Sequence, residues 1–365
     1  MLCPVSFVNL PGWACDNHSA AMQAFLRTRD AFEQKPLPVE PPSYHGISQS
    51  LEQTFEEAGR LLQPVSVATA REFFEMNYSP FCVTVGAPGL LTGYFEPILA
   101  GSRRRSANYG VPVYRRPADL VNVGDDTLRG HLGDELTAGR QTADGLRPYL
   151  TRAEIEDGAL AGEGLELLFL EDSVACFFMH VQGSAMIRLD DGETIRIGYA
   201  GKNGYRYTSI GKLLIERGEI AREDMSLEAL RTWLEIDFVR ANALMQKNES
   251  FIFFRELDVQ EASEGPIGAL GVPLTEGRSL AVDAGVHMLG LPIFVVADNL
   301  ERDGTAFQRL MIAQDVGSAI KGPQRGDIFW GTGAEAGRRA GETAHQGQFF
   351  VLLPNSFDWR SNDQA

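Results

Sequence analysis

The sequence predicts a mainly β protein with N-terminal helices, in which one β-rich domain is interrupted by a second, inserted one. Three observations carry this. Helical spacing of apolar residues is confined to the first quarter of the chain and to a stretch near 209–245. From Phe81 the chain consists largely of apolar runs of five to eight residues broken by Gly and Pro. After residue 250 such runs recur at short, even spacing, which favours a compact barrel over a βαβ sheet.

Taken in order, residues 18–33 (HSAAMQAFLRTRDAFE) carry apolar positions at helical spacing behind the caps Asp16 and Asn17. Residues 47–62 and 69–76 read the same way, with Pro36, Pro38, Pro41 and Pro42 forming a non-helical connector after the first helix. No helix of this set is long enough to stand alone, so it packs on the main domain. Strands follow in FCVTV (81–85) and GLLTGYFEPILAG (89–101). Further strands lie in ELLFLED, VACFFMHVQGSAMIRL and ETIRIGYA between 165 and 200, with Asp191-Gly192 marking a hairpin. Two helices are expected near 209–217 and 226–245, the second opened by Ser226. Strands resume in SFIFFREL, RSLAVD, LPIFVVAD, RLMIAQD, DIFW and FFVLLP. Domain boundaries are expected near 103–110 and 246–250, dividing the chain into 1–104 with 247–365 as the main domain and 105–246 as the insert.

Composition narrows the function classes. A formal charge of −16 argues against a nucleic-acid-binding surface and against attachment to anionic lipid, but leaves a neutral or glycan substrate open. The four cysteines (Cys3, Cys15, Cys82, Cys176) form no CxxC pair, and the six histidines form no HExxH, so neither a disulfide framework nor a metal site is expected. No apolar run spans a membrane. The opening MLCPVSFVNLPGW has no basic n-region or apolar h-region, which leaves a cytoplasmic chain or one whose export segment has been removed. GTGAEAG (331–337) has the wrong glycine spacing for a dinucleotide loop, and no cofactor is expected.

The strongest candidate site is the stretch 309–331, where the segment between Asp315 and Asp327 holds Gly317, Ser318, Gly322 and Gly326, together with Lys321 and Arg325. Carboxylates where apolar strands end, next to cationic groups, suit proton transfer. TGYFEP (92–97) sets Tyr94 and Glu96 at a strand end, as a sugar platform of aromatic face and acid would. Gln182, Gly183 and Ser184 fall inside an apolar strand and must line a cleft or mark a bulge. YAGKNGYRY (199–207) gathers Lys202, Asn203 and Tyr205 in a loop able to stack and hydrogen-bond.

Together with TRAEIEDGAL, NESFIFFRE, GRSLAVD and AQDVGSAIKGPQRGDIFWG, these motifs occur in an order that resembles the membrane-bound lytic murein transglycosylase A family over roughly residues 5–354. The resemblance implies a double-psi β-barrel domain interrupted by an inserted smaller β-barrel-like domain, with a glycan-binding groove where they meet. It implies non-hydrolytic cleavage of the β-1,4 bond between N-acetylmuramic acid and N-acetylglucosamine, leaving a 1,6-anhydro end. Its three C-terminal aspartates match Asp283, Asp315 and Asp327, with Asp327 as the catalytic acid/base. Substrate contacts are expected at Tyr94, Glu96, Gln182, Gly183, Ser184, Lys202, Asn203, Tyr205 and Lys321. The implied partner is the peptidoglycan strand, with cell-wall synthesis or division proteins as further candidates and no nucleic acid. The implied location is the periplasm, at the outer membrane.

The chemistry is consistent with one acid. When the sugar's own C6 hydroxyl attacks, no second carboxylate has to hold water, as a hydrolase requires. One carboxyl can protonate the leaving oxygen and then accept the C6 proton, provided its pKa is raised by burial and by Asp315. Departures from the family are Ser318 in place of a second glycine, and Val286-His287-Met288-Leu289-Gly290 in place of Ile-Pro-Leu-Gly. The lipobox before Cys3 is missing as well. Two other readings stay open: a non-catalytic wall-loosening or glycan-binding barrel, and a true muramidase whose second carboxylate would be Glu96.

Overall fold

Asn17 begins the first helix by accepting the N–H of Ala20, and α1 (His18–Gln34) buries Ala21, Met22, Ala24 and Phe25. The structure, a computed structural model, describes residues 2–34, 39–84, 89–123, 132, 135–258, 264–302 and 304–362. Asp16, the other expected cap, is used elsewhere. Both its carboxylate oxygens accept from Arg278, and one also takes the N–H of Leu310. Of the proline connector, Pro36 and Pro38 lie outside the described residues, while Pro41 and Pro42 lead into a short 3-10 turn. α2 (Ile47–Gly59) and α3 (Val67–Asn77) complete the helical layer, α3 capped by Ser66. Phe25 binds the layer together, with ring centroids 4.7 Å from Phe55 and 5.5 Å from Phe74. β1 (Leu2–Pro4), β2 (Tyr78–Val83) and β3 (Gly89–Glu96) follow; Val85, the last residue of one expected strand, lies outside the described residues.

The next segment contains β4 (Ile98–Ser102), β5 (Val111–Tyr114), β6 (Leu120–Asn122), β7 (Ala138–Thr142), β8 (Gly145–Pro148) and β9 (Glu166–Leu170). Here one expectation is corrected. Residues 174–189 do not form a continuous strand: α4 (Ser173–Gln182) precedes β10 (Ser184–Leu189). Asp172 accepts the N–H groups of Val174 and Ala175 to start the helix, and Gly183, at φ +82°, ends it in the left-handed conformation that favours glycine. Gln182, Gly183 and Ser184 are therefore a helix C-terminus and a strand start, not polar residues inside a strand. β11 (Thr194–Lys202) pairs with β10 through the expected hairpin. Next come α5 (Ile210–Glu216), α6 (Leu227–Ile236) and α7 (Phe238–Met245). The last two were expected as one helix. Asp237 leaves helical geometry and caps the second piece through Val239 and Arg240. After β12 (Ile252–Glu256), a six-stranded sheet runs β12-β11-β10-β4-β9-β5, and a parallel bridge between Arg115 and Phe254 brings its two edge strands together.

The C-terminal part supplies β13 (Ser279–Val282), β14 (Pro292–Arg302), β15 (Thr305–Val316), β16 (Arg325–Thr332), α8 (Ala334–Glu342) and β17 (Ala344–Pro354). Strands β17-β14-β15-β13-β16-β3 run in succession and β3 pairs back onto β17, which closes a six-strand barrel without free edges. The fold is thus mainly β with N-terminal helices. Two compact units result: one made of residues up to Phe95, Ile267–Gly331 and Ala336 onward, the other of Glu96–Pro266 with Thr332–Glu335.

Candidate active site

Both aspartates of the 309–331 stretch are register partners of one residue. β15 and β16 are joined by a loop, yet they do not pair with each other: β13 lies between them. Ala281 of β13 faces Asp315 on one side and Asp327 on the other. Residues opposite one another share a face, so the three side chains form a row, with the outer Cα atoms roughly 10 Å apart. Asp315 joins this row only because of a β-bulge. Leu280 pairs with Ala313 but Ala281 pairs with Asp315, so Gln314 is the extra residue. Without the bulge Asp315 would point to the opposite face. Gln314 is held in place by Ser279, Ala24 and Thr28.

Alternation separates this face from the main core. Leu91, Leu280, Val282, Ile328 and Trp330 belong to the large apolar cluster, whereas Tyr94, Ala281 and Phe329 form a small one with Leu274. Gly93 is required where β3 meets Trp330 and α8: a Cβ there would come within 2.5 Å of the indole Nε1 and 2.8 Å of the Ala340 Cα. Its neighbours Thr92 and Tyr94 consequently face the aspartates. The Thr92 hydroxyl donates to Asp327 Oδ1 at 2.5 Å, and the Arg325 guanidinium donates to Thr92 Oγ1 at 2.8 Å. Tyr94 donates to Asp315 Oδ2 at 2.7 Å, while Asp315 Oδ1 accepts the N–H groups of Ala269 and Val316.

The electrostatics make the two carboxyls unequal. Burial pushes the Asp327 carboxyl up to about 6, and the Asp315 charge adds to this, while the Thr92 hydrogen bond and Arg325 oppose it. Burial also raises Asp315, against the hydrogen bonds from Tyr94, Ala269 and Val316. For Asp283, burial acts upward, but the Gly322 N–H, the Lys321 ammonium and the Gly285 N–H together outweigh it and hold the carboxyl below its ordinary range. Asp283 is therefore a fixed anion that ties down the loop between β15 and β16. Lys321 lies 3.1 Å from it and is itself 70% exposed. The same loop is held at Pro323, whose carbonyl is 2.7 Å from His287 Nε2. Because a carbonyl only accepts, that nitrogen carries a proton.

The remaining sequence candidates divide. Glu96 is fully buried, paired through both oxygens with Arg196 (2.7 and 3.0 Å) and accepting from Thr332. It is a structural anion, which corrects its reading as a sugar platform. Asn203 is likewise fully buried, donating to the Leu150 and Glu249 carbonyls and accepting from Phe251 N–H. Tyr205 donates to the Tyr149 carbonyl, and Ser184 is buried. Gln182, Gly183 and Lys202 stay partly exposed. Sequence reasoning missed Thr92 and the Gln314 bulge. The readable signal for Thr92 was its place two residues before Tyr94 on one strand face.

Two carboxyls of unequal acidity, on strands separated by β13 in a closed barrel, form a candidate acid/base site of the kind carbohydrate-cleaving enzymes use. Residues 90–255 match the MltA specific insert domain and residues 278–353 match the 3D domain. A crystal structure of membrane-bound lytic murein transglycosylase from Agrobacterium tumefaciens is 37% identical, covers 97% of both chains and superposes with a TM-score of 0.90. MltA from Neisseria gonorrhoeae is 32% identical over 98% of this chain and 93% of that one, with a TM-score of 0.78. Escherichia coli MltA with bound chitohexaose is 28% identical over 97% and 91%, with a TM-score of 0.67. The membrane-bound lytic murein transglycosylase A of Vibrio cholerae is 36% identical over 73% of this chain, a stretch that spans 66% of the relative, just under two thirds. This chain belongs to the membrane-bound lytic murein transglycosylase A family.

Proposed function

We propose that this protein is a lytic transglycosylase that cleaves the β-1,4 bond between N-acetylmuramic acid and N-acetylglucosamine in peptidoglycan. The observation that carries the reading is that one carboxyl, Asp327, is raised to about 6 while its carboxylate neighbour Asp315 has both oxygens occupied by donors. Protonated Asp327 gives its proton to the glycosidic oxygen as the bond to the muramic C1 breaks. The muramic C6 hydroxyl then bonds to C1, and its proton returns to Asp327, so the acid is regenerated and no water is consumed. Ring closure within one sugar needs no second reactant to be captured, which suits a site in which one carboxyl handles the proton. Gln182 and Lys202 of the inserted unit, and Lys321 beside Asp283, are the proposed glycan contacts.

Digestion of purified peptidoglycan tests the reaction type. Muropeptides should end in 1,6-anhydromuramic acid; products heavier by one water, carrying reducing ends, would overturn the reading in favour of a hydrolase. Failure to clear a peptidoglycan suspension at all would favour a non-catalytic glycan-binding barrel. A second expectation concerns pH. Since Asp327 must begin protonated, turnover should fall as pH rises through about 6. Asp315→Asn removes a like charge, so the midpoint of that fall should move down; an unmoved midpoint would mean that Asp315 does not tune the acid. We assign the protein to the periplasm at the outer membrane, which fractionation of cells expressing the full protein would check. Cell-wall synthesis and division proteins are its proposed partner class, to be sought by cross-linking in those cells.

A further inference from the structure

Arg325 lies two residues before the acid on its own strand and touches the reacting carboxyl only through Thr92. Its guanidinium has donors and no acceptor. When it donates to Thr92 Oγ1, at 2.8 Å, that hydroxyl oxygen must accept, and its single proton is directed along the 2.5 Å contact to Asp327 Oδ1. The guanidinium is itself fixed by the carbonyls of Gly326 (2.5 Å) and Leu90 (3.4 Å). Oδ1 is thereby occupied as an acceptor, and the proton of the neutral acid is left to Oδ2.

We propose that Arg325 is a positioning residue for the transglycosylase reaction: through Thr92 it fixes which oxygen of Asp327 carries the transferable proton. The inference rests on Asp327 being the acid/base. Among the described residues, the charged or titratable groups around that carboxyl are Arg325 on β16, Tyr94 on β3 and Asp315 on β15, while β13 offers Ala281 opposite it. Arg325 is the one cation among these, so its removal acts in one direction on the acid, opposite to the removal of Asp315.

The test is the pH profile of peptidoglycan cleavage by Arg325→Met, Arg325→Lys and Thr92→Val. Arg325→Met should lower turnover about tenfold with little change in KM, and raise the midpoint of the falling limb by about one pH unit. Arg325→Lys keeps a cation and a donor for Thr92 and should recover much of both. Thr92→Val is nearly isosteric and keeps the guanidinium; it should also lower turnover and raise the midpoint. In that background Arg325→Met should have a smaller effect than in the wild type. If Arg325→Met and Thr92→Val lower activity with unmoved midpoints, or if their effects are independent, the relay is wrong and Arg325 serves only to hold β3 against β16. Asp327→Asn separates the two levels: an inactive Asp327→Asn protein with no relay effect overturns this inference alone, whereas an active one overturns the assignment of the acid beneath it.

Discussion

Asp327→Asn is expected to abolish cleavage, by about a thousandfold or more, while making the protein more stable at neutral pH. The two effects have one origin. Burial on the row facing Asp315 disfavours the ionised carboxylate and raises its pKa from the ordinary 3.8 to about 6. A group whose folded pKa is raised contributes full stability below its unfolded value, and that contribution is lost as pH rises through the folded value. Above pH 6 the wild type therefore holds a carboxylate in surroundings that oppose it, at a cost of up to roughly 3 kcal/mol. The amide carries no charge and still offers an oxygen to Thr92, so most of that penalty disappears. Thermal unfolding at pH 7.5 should show the variant ahead; at pH 5 its lead should shrink to about half, because the wild type is then mostly protonated. A variant that is no more stable at pH 7.5, or whose lead grows on acidification, would show that the environment does not raise this acid. A well-folded variant that still cleaves would remove Asp327 from the chemistry.

The geometry behind that result was only partly open to the sequence. Asp315 and Asp327 are legible as a pair because apolar runs flank them and glycines fill the gap. Their shared partner Ala281 is not, since the loop between β15 and β16 crosses over a strand that lies more than thirty residues earlier in the chain. The bulge at Gln314 is a tertiary feature of the same kind, fixed by contacts to Ala24 and Thr28 on the first helix. The misread segment 174–189 failed for a local reason. Ten nearly all-apolar residues carry no helical or strand period, and the deciding chemistry was at the ends, in the capping Asp172 and the left-handed Gly183. At Glu96 the strand-end position was legible but the burial was not: an acid at a strand end looks exposed until its partner Arg196, one hundred residues away, is known.

That pair sets the second large effect. Glu96 is fully buried and Arg196 nearly so, with Nε to Oε1 at 2.7 Å and the Thr332 hydroxyl donating to the other oxygen at 2.7 Å. Glu96→Gln removes the carboxylate that meets two guanidinium nitrogens of Arg196, breaking a buried ion pair, and should destabilise by about 3–5 kcal/mol. Loss of activity in that variant alone would be ambiguous, because a muramidase using Glu96 as its second carboxylate would also lose activity. Replacing both partners resolves this. Glu96→Met with Arg196→Met removes the carboxylate and the guanidinium together, and buried pairs exchanged for apolar residues of similar volume are often neutral. Thr332 loses an acceptor, so recovery should fall short of the wild type by about 1 kcal/mol. The double variant should unfold close to the wild-type temperature and should still yield anhydromuramic ends, as the assignment of the chemistry to Asp327 alone requires. A double variant that folds well yet cleaves nothing would make Glu96 a participant and return the two-carboxylate mechanism to consideration. Cleavage by that variant would leave Asp327 as the one acid the reaction requires.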